Sequence, residues 1–163
     1  MGTGKTTIGK ALAKHMDWHF VDSDEEITRL AGQSIPDIFE AKGEGYFRQL
    51  EQEVIAEIMQ GERQVVSSGG GSVLAEANRR SMMARGVVIA LSATAETIIH
   101  RVKQDANRPL LQGDDLAKRV HKLLEERRNA YLFADVQIDT NKMTLEKGLA
   151  LIQQKYNTFA HKG

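Results

Sequence analysis

No cysteine occurs in the 163 residues, so disulfides and thiolate metal sites are excluded, and the chain suits a reducing compartment. Net charge is missing too. Lys and Arg total 22, Asp and Glu total 22, and no bulk attraction for nucleic acid or an acidic membrane remains. No apolar run approaches the roughly 18 residues of a membrane span, and the N-terminus has no signal-peptide core. Internal repeats, low-complexity tracts and interdomain linkers are also absent. These absences leave an expected soluble, cytoplasmic protein with no nucleic-acid or membrane partner. At 41% apolar and 27% charged residues, the chain has ordinary globular composition and the length of one domain over 1–163.

What is present begins at the first residues. Gly2-Thr3-Gly4-Lys5-Thr6-Thr7 reads as the second half of a phosphate-binding loop, G-x-x-x-x-G-K-[ST]. The glycines let backbone N–H groups converge on phosphate oxygens, and the helix that follows offers its positive N-terminal end. Lys5 supplies a cation for the β- and γ-phosphates, and the Thr6 hydroxyl a ligand for Mg²⁺. The bland alternative is a chance glycine-rich terminus. Against it, Ile8, Ala11, Leu12 and Met16 recur at helical spacing where the loop requires a helix. The first loop glycine would fall two positions before Met1, and the strand feeding the loop would precede that.

The rest of the chain alternates strands and helices. A strand over Trp18 to Val21 leads into Asp22-Ser23-Asp24, and a short helix over Glu25 to Ala31 stops at Gly32. Ser34 caps a second short helix carrying Ile35, Ile38 and Phe39, with Pro36 in its first turn. After Gly43, the residues Phe47, Leu50, Val54, Ile55 and Ile58 stripe a long helix. Further strands are expected at Val65-Val66, Val87 to Leu91 and Val136 to Ile138. Helices are expected over Ala75 to Arg85, Ala95 to Val102, up to about Arg128, and from Leu145. Residues Asp105 to Asp114 lack periodicity and read as a mobile loop, and the tail after Tyr156 reads as frayed. This alternation argues an α/β domain with a parallel sheet.

Four features carry chemistry. Asp22 and Asp24 stand at a strand tip, where ligands bind in open α/β sheets, and one residue of separation on a strand aims both carboxylates the same way. A solvated turn capping the next helix is the plain alternative. Gly69-Gly70-Gly71 follows a buried strand, and three glycines in a row suit close approach of backbone to a ligand. Asn107-Arg108-Pro109-Leu110-Leu111 gives the loop an arginine able to close over phosphates. Arg48 follows Phe47, and Arg127-Arg128 end a helix. All three arginines suit bidentate carboxylate capture, although the last two also complement a helix dipole.

Taken together and in order, GTGKTT, FVDSD, SIPDIFEAKGEGYFR, SSGGGSV, GVVIAL, NRPLL and EER before ADVQIDT resemble the shikimate kinase family over nearly the whole chain. The resemblance implies a P-loop kinase of the nucleoside-monophosphate-kinase type. Its sheet would be parallel in order 2-3-1-4-5 with helices on both faces, the first strand missing from the numbered chain. It also implies ATP-dependent phosphorylation of the 3-hydroxyl of shikimate, giving 3-phosphoshikimate for chorismate and aromatic amino-acid biosynthesis. Separately from the resemblance, a monomer is expected.

Carried onto this sequence, Gly2, Thr3, Gly4, Lys5, Thr6 and Thr7 would hold ATP. Thr6 and, through water, Asp22 would hold Mg²⁺. Asp24 would bind the shikimate hydroxyls and orient or deprotonate the attacking one. Arg48 and Arg127, or Arg128 in its place, would clamp the carboxylate, and Gly70 would hold the ring by its backbone. Arg108 would be the lid arginine over residues 105–114, and Arg101 would flank the adenine. Lys5, Asp24 and Arg108 would be the catalytic set. Phe39, Phe47 and Glu51 would shape or support a substrate region spanning about 24–60. The natural protein is then expected to extend upstream by a strand and a glycine, leaving the numbered chain a marginal folder with poor ATP affinity.

Other readings are a gluconate-kinase-like enzyme of the same fold, a folded but inactive module, and a nucleotide-binding switch. The last needs N-K-x-D, which Asn141-Lys142-Met143-Thr144 approaches without the aspartate.

Overall fold

Glycines, caps and apolar stripes set the elements where the sequence places them. The computed structural model describes residues 2–104 and 114–160. The expected lid arginine Arg108 lies outside the described residues, and Asp114 already opens a helix. The chain divides into two compact units, one of Thr6–Gly86 and one of Met1–Lys5 with Val87–Gly163.

In the first of these, α1 (Lys5–Met16) leads to β1 (His19–Asp22). A Cβ at Gly9 would sit 2.7 Å from the Phe20 ring, so only glycine lets α1 approach β1 this closely. Helix α2 (Ser23–Ala31) begins on Asp22, whose carboxylate accepts from the Asp24 N–H, and ends on Gly32 at φ 67°. Helix α3 (Ile35–Ile58) begins on Ser34, which accepts from the Asp37 N–H, and is broken at Gly43 (φ 77°, ψ 174°). Its two segments are the short and long helices expected on either side of Gly43. That backbone conformation is open to glycine and strained for other residues.

The apolar stripe of α3 is buried as its spacing requires. Phe47 and Val54 pack with Ile38 and with Ile27 of α2, while Leu50 and Ile58 close the edge of the cluster. Each fully buried large side chain contributes roughly 1.5–3 kcal/mol. Strand β2 (Gln64–Ser67) pairs in parallel with β1, His19 opposite Gln64 through Asp22 opposite Ser67. A single 3₁₀ turn, Ser72–Leu74, then carries the chain from the three glycines into α4 (Glu76–Arg85).

In the other unit, β3 (Ile89–Ser92) pairs in parallel with β4 (Val136–Asp139). Helix α5 (Ala95–Gln104) packs on α6 (Asp114–Glu126) through Ala95, Ile98, Val102, Leu116 and Val120. Helix α7 (Leu145–Ala160) continues past Tyr156, where a frayed tail was expected. Helix α6 stops at Glu126 rather than Arg128, so Arg127 and Arg128 lie in the turn that follows. Among the described residues the strands form two separate two-stranded parallel sheets, β1–β2 in one unit and β3–β4 in the other.

Candidate active site

The three glycines leave the C-terminal end of β2 and run between two charged groups of opposite sign. A Cβ at Gly69 would lie 2.7 Å from Asp24 Oδ1, and one at Gly71 would lie 2.8 Å from Arg48 Nη2 and 2.9 Å from Nη1. Side chains of Asp24 and Arg48 therefore rest directly on glycine backbone, with Gly70 between them.

A buried polar network fixes this loop. The Gly69 N–H donates to Ser23 Oγ at 3.1 Å, and Ser72 Oγ–H donates to the Gly69 carbonyl at 2.7 Å. The Ser72 carbonyl accepts from Asn78 Nδ2 at 2.9 Å, and Arg79 Nη1 donates to the carbonyls of Val73 and Leu74. Ser23, Ser72 and Asn78 are fully buried, so each hydrogen bond also avoids the cost of an unsatisfied buried polar group.

Arg48 is fixed on several sides. Nη1 donates to Glu51 at 2.8 Å, and Glu51 is itself buried at 1% exposure. Glu44 accepts from Nη2 at 3.3 Å and from Nε at 3.4 Å, and the Phe47 ring lies 5.2 Å from Cζ. Burial opposes the charge on the guanidinium, but hydrogen bonds and attraction to Glu51 and then Glu44 outweigh it, so its pKa stands above the usual arginine value. Phe39 stacks on Phe47 at 4.6 Å between ring centroids and is partly exposed. The set offers a cation and a carboxylate beside an apolar wall, which suits a small molecule bearing a carboxylate and hydroxyls on a carbon ring.

The sequence expectation for Asp22 and Asp24 needs one correction. They do not project from one strand: Asp22 ends β1 and caps α2, and Asp24 lies in the first turn of α2. The helix has orphan N–H groups at its start, and Asp22 Oδ1 satisfies one of them at 3.0 Å.

The other unit holds the phosphate-loop glycines. Gly2 and Gly4 have φ of 67° and 91°, the left-handed region that a tight anion-binding loop uses. Arg101 Nη1 donates to the Gly2 carbonyl and to Thr140 Oγ1, and Nη2 donates to the Thr140 carbonyl at 2.6 Å. Thr140 Oγ1 also lies 3.2 Å from the Thr3 carbonyl. Arg101, expected beside a base, thus also braces the loop backbone, and Thr140 is a loop support that sequence reading missed. An open hollow lies over the β4–α7 connection, lined by Asp139, Asn141, Lys142, Met143, Lys147 and Leu151.

Arg127 and Arg128 separate clearly. Arg128 is exposed and bound to Glu125 at 3.2 Å. Arg127 is half-buried, and its Nε is buried with no hydrogen-bond partner among the described residues.

Comparison with known proteins gives the family. The family model for shikimate kinase matches residues 1–157. The shikimate kinase of Caldanaerobacter subterraneus subsp. tengcongensis is 41% identical over 147 residues, 90% of this chain and 86% of that one. The solved structure of a shikimate kinase from Acinetobacter baumannii in complex with shikimate superposes with a TM-score of 0.84. It is 36% identical and the match covers 99% of this chain and 89% of that one. A gluconokinase from Sinorhizobium meliloti has a TM-score of 0.60 at 18% identity, over 100% of this chain and 93% of that one, a likeness of fold alone.

Proposed function

The chain belongs to the shikimate kinase family, and from that premise we propose that it transfers the γ-phosphate of ATP to the 3-hydroxyl of shikimate. The observation that carries the substrate half is the glycine run with Asp24 against Gly69 and Arg48 against Gly71. A guanidinium suits a carboxylate bidentately, and a carboxylate suits the hydroxyls of the same ring. Gly70 supplies backbone between them. Arg127 is the second clamp arginine, a reading favoured by its unsatisfied buried Nε.

Phosphoryl transfer asks for positioning and charge stabilisation more than covalent chemistry. Asp24 orients the attacking hydroxyl and accepts its proton. Gly2, Thr3, Gly4, Lys5, Thr6 and Thr7 hold the phosphates, with Lys5 on the β- and γ-oxygens. Arg101 flanks the base while bracing the loop. Arg108, which lies outside the described residues, would add a second cation to the transferring group.

Thr6 and Asp22 offer an all-oxygen donor set. Among the described residues no group of three His, Cys, Asp or Glu is placed to cage a metal. Oxygen donors suit Mg²⁺, which keeps several waters and takes phosphate oxygens as ligands. When bound there, Mg²⁺ supplies charge neutralisation on the β- and γ-phosphates. No helix among the described residues is long and apolar enough to cross a membrane, and the enzyme works as a cytoplasmic monomer in this reading.

The test is ADP release by the purified protein with shikimate, gluconate or nucleoside monophosphates as acceptor. Shikimate alone should drive it, EDTA should abolish it and added Mg²⁺ should restore it. Release driven by gluconate would favour the neighbouring kinase class.

A further inference from the structure

The guanidinium of Arg48 has two unequal partners. Glu51 takes Nη1 at 2.8 Å and its side chain is 2% exposed, so this bond is short and buried on the Glu51 side. Glu44 takes the opposite edge with one oxygen, at 3.4 Å from Nε and 3.3 Å from Nη2, and its side chain is 67% exposed. Those contacts are long, bifurcated and open to water, and an exposed i,i+4 pair of this kind is weak.

The geometry of the fork makes this difference consequential. A carboxylate binding arginine bidentately needs two parallel N–H donors on one edge. Glu51 accepts one N–H of Nη1, and the Nε–Nη2 edge presents two parallel donors. Glu44 sits on that edge. Its backbone follows Gly43, the non-helical break in α3, so Glu44 stands in the first turn of the second helical segment. A carboxylate there is favoured by the helix dipole even after it leaves Arg48, which makes its release cheap.

We propose that Glu44 is a displaceable counter-ion: it holds the Nε–Nη2 edge of Arg48 before substrate arrives and yields it to the substrate carboxylate. This inference rests on the reading of Arg48 as the carboxylate clamp. Glu44 is then a positioning residue that sets substrate affinity through Arg48. It keeps the guanidinium over Gly71, and the substrate carboxylate has to outcompete it.

The test is Glu44→Gln, a near-isosteric change at an exposed position. Loss of a competing exposed charge should lower KM for shikimate about two- to fivefold, the range of an exposed ion pair. The effect should fall on KM for shikimate rather than on kcat or KM for ATP, and shrink as salt rises. It should disappear in an Arg48→Ala background. An unchanged or raised KM for shikimate in Glu44→Gln, with Arg48→Ala still weakening shikimate, overturns this inference alone. If Arg48→Ala leaves shikimate kinetics unchanged, the clamp reading falls and this inference with it.

Discussion

Gly71→Ala separates the substrate site from the fold. Gly71 has φ −93° and ψ −13°, a conformation any L residue adopts. The backbone therefore accepts alanine without strain, and the smaller freedom of the unfolded chain contributes about 0.4–1 kcal/mol of stability. The cost lies in one contact. The new methyl would stand 2.8 and 2.9 Å from the Arg48 nitrogens, about 0.6–0.7 Å inside the roughly 3.5 Å of favourable separation. Arg48 must move away, yet Glu51 holds Nη1 at 2.8 Å from a buried position. A shift of this size exceeds the ~0.5 Å tolerance of a functional site, and misplacement near 1 Å can cost about 100-fold.

We expect Tm to stay level or rise slightly, KM for shikimate to rise about tenfold or more, and KM for ATP to hold. A thermal melt and a coupled ADP assay over both substrates read all three. Normal shikimate kinetics would refute the placement of Arg48 against the glycine loop. A large fall in Tm would show instead that Gly71 serves the fold.

Asp24→Asn should lower kcat strongly with little loss of Tm, since shape is kept while base and charged acceptor go; near-normal turnover removes the base assignment. Arg127→Ala should raise KM for shikimate by tenfold or more, because a charge-assisted contact is worth about 1.5–3 kcal/mol. Arg128→Ala, at an exposed pair with Glu125, should change it little. The reverse order of effects would move the clamp to Arg128. Asp22→Asn should act through Mg²⁺, raising the concentration needed for half-maximal rate, and an unaltered Mg²⁺ profile would remove Asp22 from that role.

Local signals were legible and long-range ones were not. Gly32 as a left-handed stop, Ser34 as a cap and Gly43 as a break each depend on their own few residues, and all three hold in the structure. The stripe from Phe47 to Ile58 is a 3.6-residue period with one buried face, which a sequence displays directly. The two carboxylates at 22 and 24 misled because strand alternation and helix capping both accept D-x-D, and the orphan N–H of Asp24 decided between them. The loop supports stayed hidden for a different reason. Ser23 meets Gly69 across 46 positions, Arg101 meets Gly2 across 99 and Thr140 meets Thr3 across 137. No periodicity encodes such pairings. Glu44 was readable as the i−4 partner of Arg48 on a helix, but its position on the open edge of the guanidinium required coordinates.

We propose Arg48, laid on Gly71 and backed by Glu51, as the anchor for the carboxylate of shikimate. Calorimetric titration of shikimate into the protein and into its Arg48→Ala and Arg48→Lys variants tests it without relying on turnover. Binding should be saturable and weaken at least tenfold in Arg48→Ala. Arg48→Lys should recover it only in part, because a point charge cannot replace a planar fork. Equal shikimate affinity in all three proteins would contradict it.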